Sequence, residues 1–102
     1  MQTPEAKIKR KVVDVLKTMD AYYFFPATGG YGRSGVPDIV ACIDGKFIGI
    51  ECKAKNNKPT ALQQRELVKI KAAKGLSLVV NEDNVAGIGV VLDILIRGKN
   101  NG

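Results

Sequence analysis

Histidine is absent from the 102-residue chain, and cysteine occurs only twice. Without histidine there can be no Ser-His-Asp triad, no Cys₂His₂ zinc site and no His-metal nuclease motif. Two cysteines do not make a disulfide scaffold. Cys42 and Cys52 both lie in apolar, strand-like runs. There they read as small buried side chains that face each other loosely in a hairpin and stay reduced. Long apolar runs are also lacking. None approaches the roughly 18 residues of a membrane span, and the N-terminal MQTPEAKIKRK has no apolar signal region. The sequence therefore predicts a soluble, cytoplasmic protein. Its chemistry is left to carboxylates, Lys, Tyr, Ser or a hard metal ion.

Acidic residues are the minority, 10 against 16 basic ones, for a formal charge of +6. Such an excess favours a polyanionic partner such as nucleic acid, because Lys and Arg on phosphates supply the sequence-independent part of that binding. Hydrophobic residues make up 45% of the chain, which excludes a disordered one. A length of 102 residues predicts one domain, residues 1–102, with a modest core.

Thr3-Pro4-Glu5 opens a helix. Thr3 suits the N-cap, Pro4 the first helical position and Glu5 the positive end of the helix dipole. Ile8, Val12, Val13, Leu16 and Met19 recur at helical spacing up to about Asp20. Tyr22 to Phe25 reads as a strand stopped by Pro26, and ATGGYGRSG at 27–35 as a loop. Asp44-Gly45 is a two-residue turn signal between strands of about Ile39–Ile43 and Lys46–Lys53. A second helix runs from Thr60 to about Lys74, ended by Gly75 as its C-terminal cap, and Leu76–Val80 is a short strand. A third helix is predicted from Asp83 to about Arg97. The order α-β-β-β-α-β-α predicts an α/β fold with one mixed sheet flanked by helices.

The hairpin carries the unusual feature. With the turn at 44 and 45, residue 43 faces 46 and Asp38 faces Glu51. Directly opposed Cβ atoms lie about 4.5–5.5 Å apart. Lys53 projects from the same face as Glu51. At an effective dielectric near 20, two unit charges about 5 Å apart cost roughly 3 kcal/mol. Two remedies are open: a shared proton or a divalent cation. Oxygen-only donors favour Mg²⁺ or Mn²⁺, and Lys53 could hold a water or a phosphate oxygen beside the ion. A purely structural alternative is also open, in which Asp38 caps a turn and Glu51 pairs with Lys53 or Lys55.

The pattern G-x-P-D, a gap of twelve residues and then E-x-K resembles the PD-(D/E)XK nuclease superfamily. An early helical Glu and a Gln on the following helix make the likeness closer to its virus-type replication–repair nuclease (VRR-NUC) family. The matching residues are Glu5, Gly35-Val36-Pro37-Asp38, Glu51-Cys52-Lys53 and Gln63 or Gln64. The resemblance implies a restriction-endonuclease-like mixed sheet and a carboxylate-bound divalent metal. Asp38 and Glu51 would be its main ligands, joined by the backbone carbonyl of Cys52 and, through water, by Glu5. Lys53 would position the attacking water or stabilise the phosphate. Gln63 is favoured over Gln64 for the family's glutamine, although Thr60-Ala61-Leu62-Gln63 also fits a capping box. Tyr31, Arg33, Lys55 and Lys58 are candidate DNA contacts, each with solvated surface as its alternative role.

No helix-turn-helix, zinc finger or ATPase loop is evident, so specificity is expected from DNA shape. Small, phage-like members of such families resemble dimeric resolvases of four-way (Holliday) junctions. A symmetric homodimer supplies the two sites that paired cuts require. The apolar stretch Val85 to Ile96, or the aromatic strand at 22–25, is the expected dimer interface. A DNA-binding module that keeps the fold without catalysis is the alternative, as is a nuclease acting on flaps or linear duplex.

Overall fold

Residues 2–27 and 33–98 are described, from a computed structural model. Thr3 caps α1 (Pro4–Thr18), accepting from the Ala6 N–H, and Pro4 occupies the first turn. The helix closes with Asp20 in the left-handed region (φ 60°). The Asp20 and Ala21 N–H groups return to the carbonyls of Lys17 and Leu16. These are the paired bonds of a Schellman cap.

Strand β1 (Tyr22–Phe24) is one residue shorter than the aromatic run predicts. It pairs antiparallel with β2 (Ile39–Ile43), which pairs antiparallel with β3 (Lys46–Cys52). The hairpin turn places Asp44 at φ 51° and Gly45 at φ 79°, the two positive angles that a type I′ turn requires. The register is the expected one, with Ile43 opposite Lys46 and Ile39 opposite Ile50. Helix α2 (Ala61–Ala72) then crosses to β4 (Leu76–Val80), which lies parallel to β3. A single 3₁₀ turn (Val85–Gly87) leads into α3 (Ile88–Arg97). The sheet order is β1-β2-β3-β4. No helix among the described residues is long and apolar enough to cross a membrane.

One sheet face packs on α1 and α3. Its core joins Ile8, Val12 and Leu16 to Ile39, Ala41, Ile48, Ile50, Ile88 and Leu92. The other face carries α2, through Leu67 and Glu66. Residues 48 to 52 of β3 are therefore buried on both faces, whereas β2 alternates between buried and more exposed positions.

Three expectations change. Cys42 is exposed and opposite Phe47, while Cys52 is buried, so the cysteines neither face each other nor share an environment. Lys74 rather than Gly75 takes the left-handed position (φ 74°) after α2, and the Gly75 N–H bonds to the Ile70 carbonyl. The third helix starts later than Asp83. The Asn81 side chain accepts from the Asp83 and Asn84 N–H groups at 2.8 and 3.1 Å, closing an Asx turn that delays the helix.

Gly35 marks where α2 meets the segment leading into β2. Its φ is +83°, and a Cβ there would stand 2.6 Å from the Leu62 carbonyl carbon and oxygen. Gly45 has a similar φ with open space around it. Gly45→Ala should thus cost only the left-handed strain, about 1–2 kcal/mol. Gly35→Ala adds a backbone clash and should cost about 2–5 kcal/mol in urea unfolding. Equal losses for the two variants would show that α2 does not press on Gly35.

Candidate active site

Asp38 lies one step past the last ladder pair of β2 and β3, where the strands are held by side chains instead of backbone. The Asp38 N–H donates to Glu51 Oε1 at 3.2 Å, and the Cys52 N–H donates to Asp38 Oδ2 at 2.9 Å. The two carboxylates thus take reciprocal backbone bonds across the strand pair. Because N–H and C=O of one strand residue point to the same side, the Cys52 carbonyl shares the Asp38 side of β3. Lys53 continues the parallel ladder, its N–H bonded to the Val80 carbonyl at 2.9 Å. Its Nζ stands 3.8 Å from Glu51 Oε2.

Glu51 is 1% exposed. Burial and then the Asp38 charge push its carboxyl from the ordinary 4.5 up to about 7, against the opposing pull of Lys53 and the Asp38 N–H. Burial, then the charges of Asp38 and Glu51, push the Cys52 thiol up to about 12. That thiol stays protonated at neutral pH and offers no thiolate ligand or nucleophile.

Glu5, in the first turn of α1, leans toward the chain that follows β3. Its Oε2 makes long contacts of 3.5 Å to the Ala54 N–H and Asn57 Nδ2. Its charge adds a minor upward push on Glu51. Gln63 forms the capping box, its Oε1 accepting from the Thr60 N–H at 2.8 Å while Thr60 Oγ1 accepts from the Gln63 N–H at 3.2 Å. Its backbone, at the Leu62–Gln63 peptide, lies against Gly35. Gln64 is exposed.

Among the expected DNA contacts, Arg33 pairs with Glu66 at 3.0 Å, and Lys55 pairs with Asp83 at 3.6 Å with both side chains exposed. Lys58 is exposed, and Tyr31 lies outside the described residues. Glu66 is the residue that sequence reasoning passes over. Helical spacing was the available signal, since 66, 67 and 70 share one face of α2.

The donor set is two carboxylates and a backbone carbonyl. Among the described residues no three His, Cys, Asp or Glu side chains gather closely enough to form a metal cluster. A cation at the Asp38–Glu51 pair would keep several waters, as Mg²⁺ habitually does. The buried Glu51 and the half-buried Asp38 fit such an ion, because a divalent charge relieves the repulsion that, after burial, lifts the Glu51 pKa.

A sequence model of the archaeal Holliday junction resolvase (Hjc) family matches residues 5–74, a stretch that spans Glu5, the hairpin and all of α2. The chain belongs to that family. With it the chain joins the PD-(D/E)XK-like nucleases. "Putative nuclease p44" of Acyrthosiphon pisum secondary endosymbiont phage 1 is 37% identical over 81 residues, 78% of this chain and 84% of that protein. A solved VRR_NUC domain superposes with a TM-score of 0.71 at 22% identity, covering 83% of this chain and 92% of the domain. Hjc from Archaeoglobus fulgidus, a Holliday junction resolvase, gives 0.56 at 20% identity, covering 74% of this chain and 65% of its own. At these identities the two structures share the fold.

The displaced Glu51 titration has a sign that can be checked. The native state holds the proton more tightly than the unfolded chain between the ordinary value of 4.5 and about 7. In a chelator, stability should fall by on the order of 3 kcal/mol as pH rises through that window, then level off. Glu51→Gln should remove the step, read as urea midpoints across pH. A wild-type midpoint that does not fall over this window would contradict the burial-driven shift.

Proposed function

We propose that the protein is a divalent-metal-dependent, structure-specific DNA endonuclease that resolves branched DNA, with four-way junctions as its substrate and a homodimer as its working form. The supporting observation is the cross-bonded Asp38–Glu51 pair with Lys53 at its edge. Folding alone has no use for two opposed carboxylates in that place, and family membership supports the junction reading.

Asp38, Glu51 and the Cys52 carbonyl would hold Mg²⁺ or Mn²⁺, with Glu5 reaching it through water. The bound ion supplies Lewis-acid stabilisation of the phosphodiester and a nucleophilic water. The Lys53 ammonium, only partly exposed, faces the same space and would hold a phosphate oxygen as negative charge builds on it. Glu51 must be ionised to serve, so its pKa near 7 couples cation binding to proton release. Gln63 would contribute through the backbone that packs on Gly35 while its carboxamide caps α2. The net charge of +6 supports binding to the DNA backbone, with Tyr31, Lys55 and Lys58 as candidate contacts, whereas Arg33 is paired with Glu66. An exposed ion pair such as Lys55–Asp83 is worth about 0–1 kcal/mol, so a phosphate could displace Asp83. The phage relative supports action in a host cytoplasm.

Two apolar surfaces could seat the second copy. Val90, Val91, Ile94 and Leu95 are 66, 42, 60 and 37% exposed and form one stripe on α3. Tyr22 and Phe24 stand exposed on the edge strand β1.

With a labelled four-way junction and Mg²⁺ or Mn²⁺, the wild type should make paired symmetric nicks. Asp38→Ala and Lys53→Ala should each lower the rate by about 10²-fold or more. Equal cutting of flaps or linear duplex would keep the nuclease and sink the junction claim. Tight binding with no cleavage in either metal would leave a DNA-binding module. In sedimentation, Ile94→Glu should convert the dimer to monomer if α3 is the interface, and Phe24→Glu should do so if β1 is. A wild-type monomer, free and on DNA, would end the dimer reading.

A further inference from the structure

Glu66 sits 2% exposed on the inner face of α2. A carboxylate there is costly, since burying an unpaired charge loses several kcal/mol of hydration, and helix packing alone would be served by an apolar side chain. Its Oε1 accepts from Arg33 Nη2 at 3.0 Å, while Oε2 is buried with no hydrogen-bond partner among the described residues. The Arg33 side chain is 69% exposed, so packing does not account for its position either.

The ion pair is the first of three fastenings between the same short segment and its surroundings. Gly35 follows two residues later, against the Leu62–Gln63 peptide at the start of α2. Pro37 is buried over Gly49, beside Ile70 of α2. Asp38 comes next. Beyond the ladder, two hydrogen bonds hold it among the described residues, one to Glu51 and one to its neighbour Cys52. Its placement therefore depends on how the Arg33–Pro37 segment is anchored.

We propose that Glu66 is a positioning residue: through Arg33 it fastens this segment to α2 and so fixes the Asp38 carboxylate against Glu51 and the Cys52 N–H. The inference rests on reading Asp38 and Glu51 as the reacting pair. It also assigns Arg33 a role different from a plain phosphate contact, and the two roles predict opposite behaviour. As a phosphate contact restrained by Glu66, Arg33 would bind DNA more tightly once Glu66 lost its charge. As a fastener, Arg33 would lose its function together with Glu66.

The test compares Glu66→Gln, which conserves size, Arg33→Gln, at an exposed side chain, and the double variant. Two measurements are made on each. The first is the Cys52 amide resonance and its exchange protection in chelator without DNA, which report the bond to Asp38 Oδ2. The second is single-turnover cleavage of the four-way junction, with junction affinity measured separately in Ca²⁺. All three variants should shift the Cys52 amide alike. They should also lower the cleavage rate by about tenfold with affinity changed less than about twofold, the double no worse than either single. Tighter DNA binding by Glu66→Gln with weaker binding by Arg33→Gln would overturn the proposal in favour of a phosphate contact. An unmoved Cys52 amide would overturn it whatever the thermal stability did. If wild-type protein cut no DNA, the reading of the reacting pair would fall, while the amide shift would still decide whether Glu66 places Asp38.

Discussion

Two carboxylates that should repel each accept a backbone N–H from the facing chain. The Asp38 N–H serves Glu51, and the Cys52 N–H serves Asp38. This exchange replaces the next rung that the β2–β3 ladder would have had. It keeps the strand pair closed at the one place where charge would pry it apart. The rest of the architecture follows from that requirement. Strand β3 must be central to bury Glu51, so both its faces need helices. Helix α2 must begin beside Gly35, so the chain turns sharply after Lys55. Lys53 must stay registered with Glu51, and the parallel pairing with β4 through Val80 extends the strand far enough to do so.

The site therefore stores free energy that the remainder of the fold offsets. The core between α1, α3 and the sheet is ordinary: aliphatic, continuous and without a buried charge apart from its rim. Burying one aliphatic side chain contributes about 1.5–3 kcal/mol. One or two such residues match the cost of the displaced Glu51 titration. The two sheet faces are unequal in this respect. The α1–α3 side is an apolar core, while the α2 side holds Glu51, Glu66 and Ser77 as well as Leu67. Polarity concentrated on one face of a sheet is what a catalytic surface requires, because it leaves the opposite face free to stabilise.

Much of this was legible in the sequence where local chemistry decides the outcome. Asp44-Gly45 fixed the turn and hence the pairing of Asp38 with Glu51. Thr3 and Thr60 announced two helix starts, and the capping box at Gln63 formed as its spacing foretold. The misses share a cause, which is that they depend on partners distant in sequence or on side-chain bonds competing with helix. Cys42 reads as buried because its run is apolar, yet the half of the sheet bearing β1 and β2 lies beyond the cover of α2. Asn81 draws Asp83 into a turn, so α3 starts later than its hydrophobic pattern suggests. The Arg33–Glu66 pair joins residues 33 positions apart. No periodicity reports that, although the position of Glu66 on an inner helix face was a visible anomaly.

Helix α2 touches the molecule near both of its ends. Leu62 abuts Gly35, and Ile70 reaches over Gly49 in the middle of β3. The eight helical steps from Leu62 to Ile70 span about 12 Å. Helix and strand therefore act as two stiff members of a truss, with the loop before Asp38 as its short third side. In such a frame no corner moves alone. A displacement of α2 where Ile70 meets β3 would therefore be felt at Gly35 and, three residues on, at Asp38.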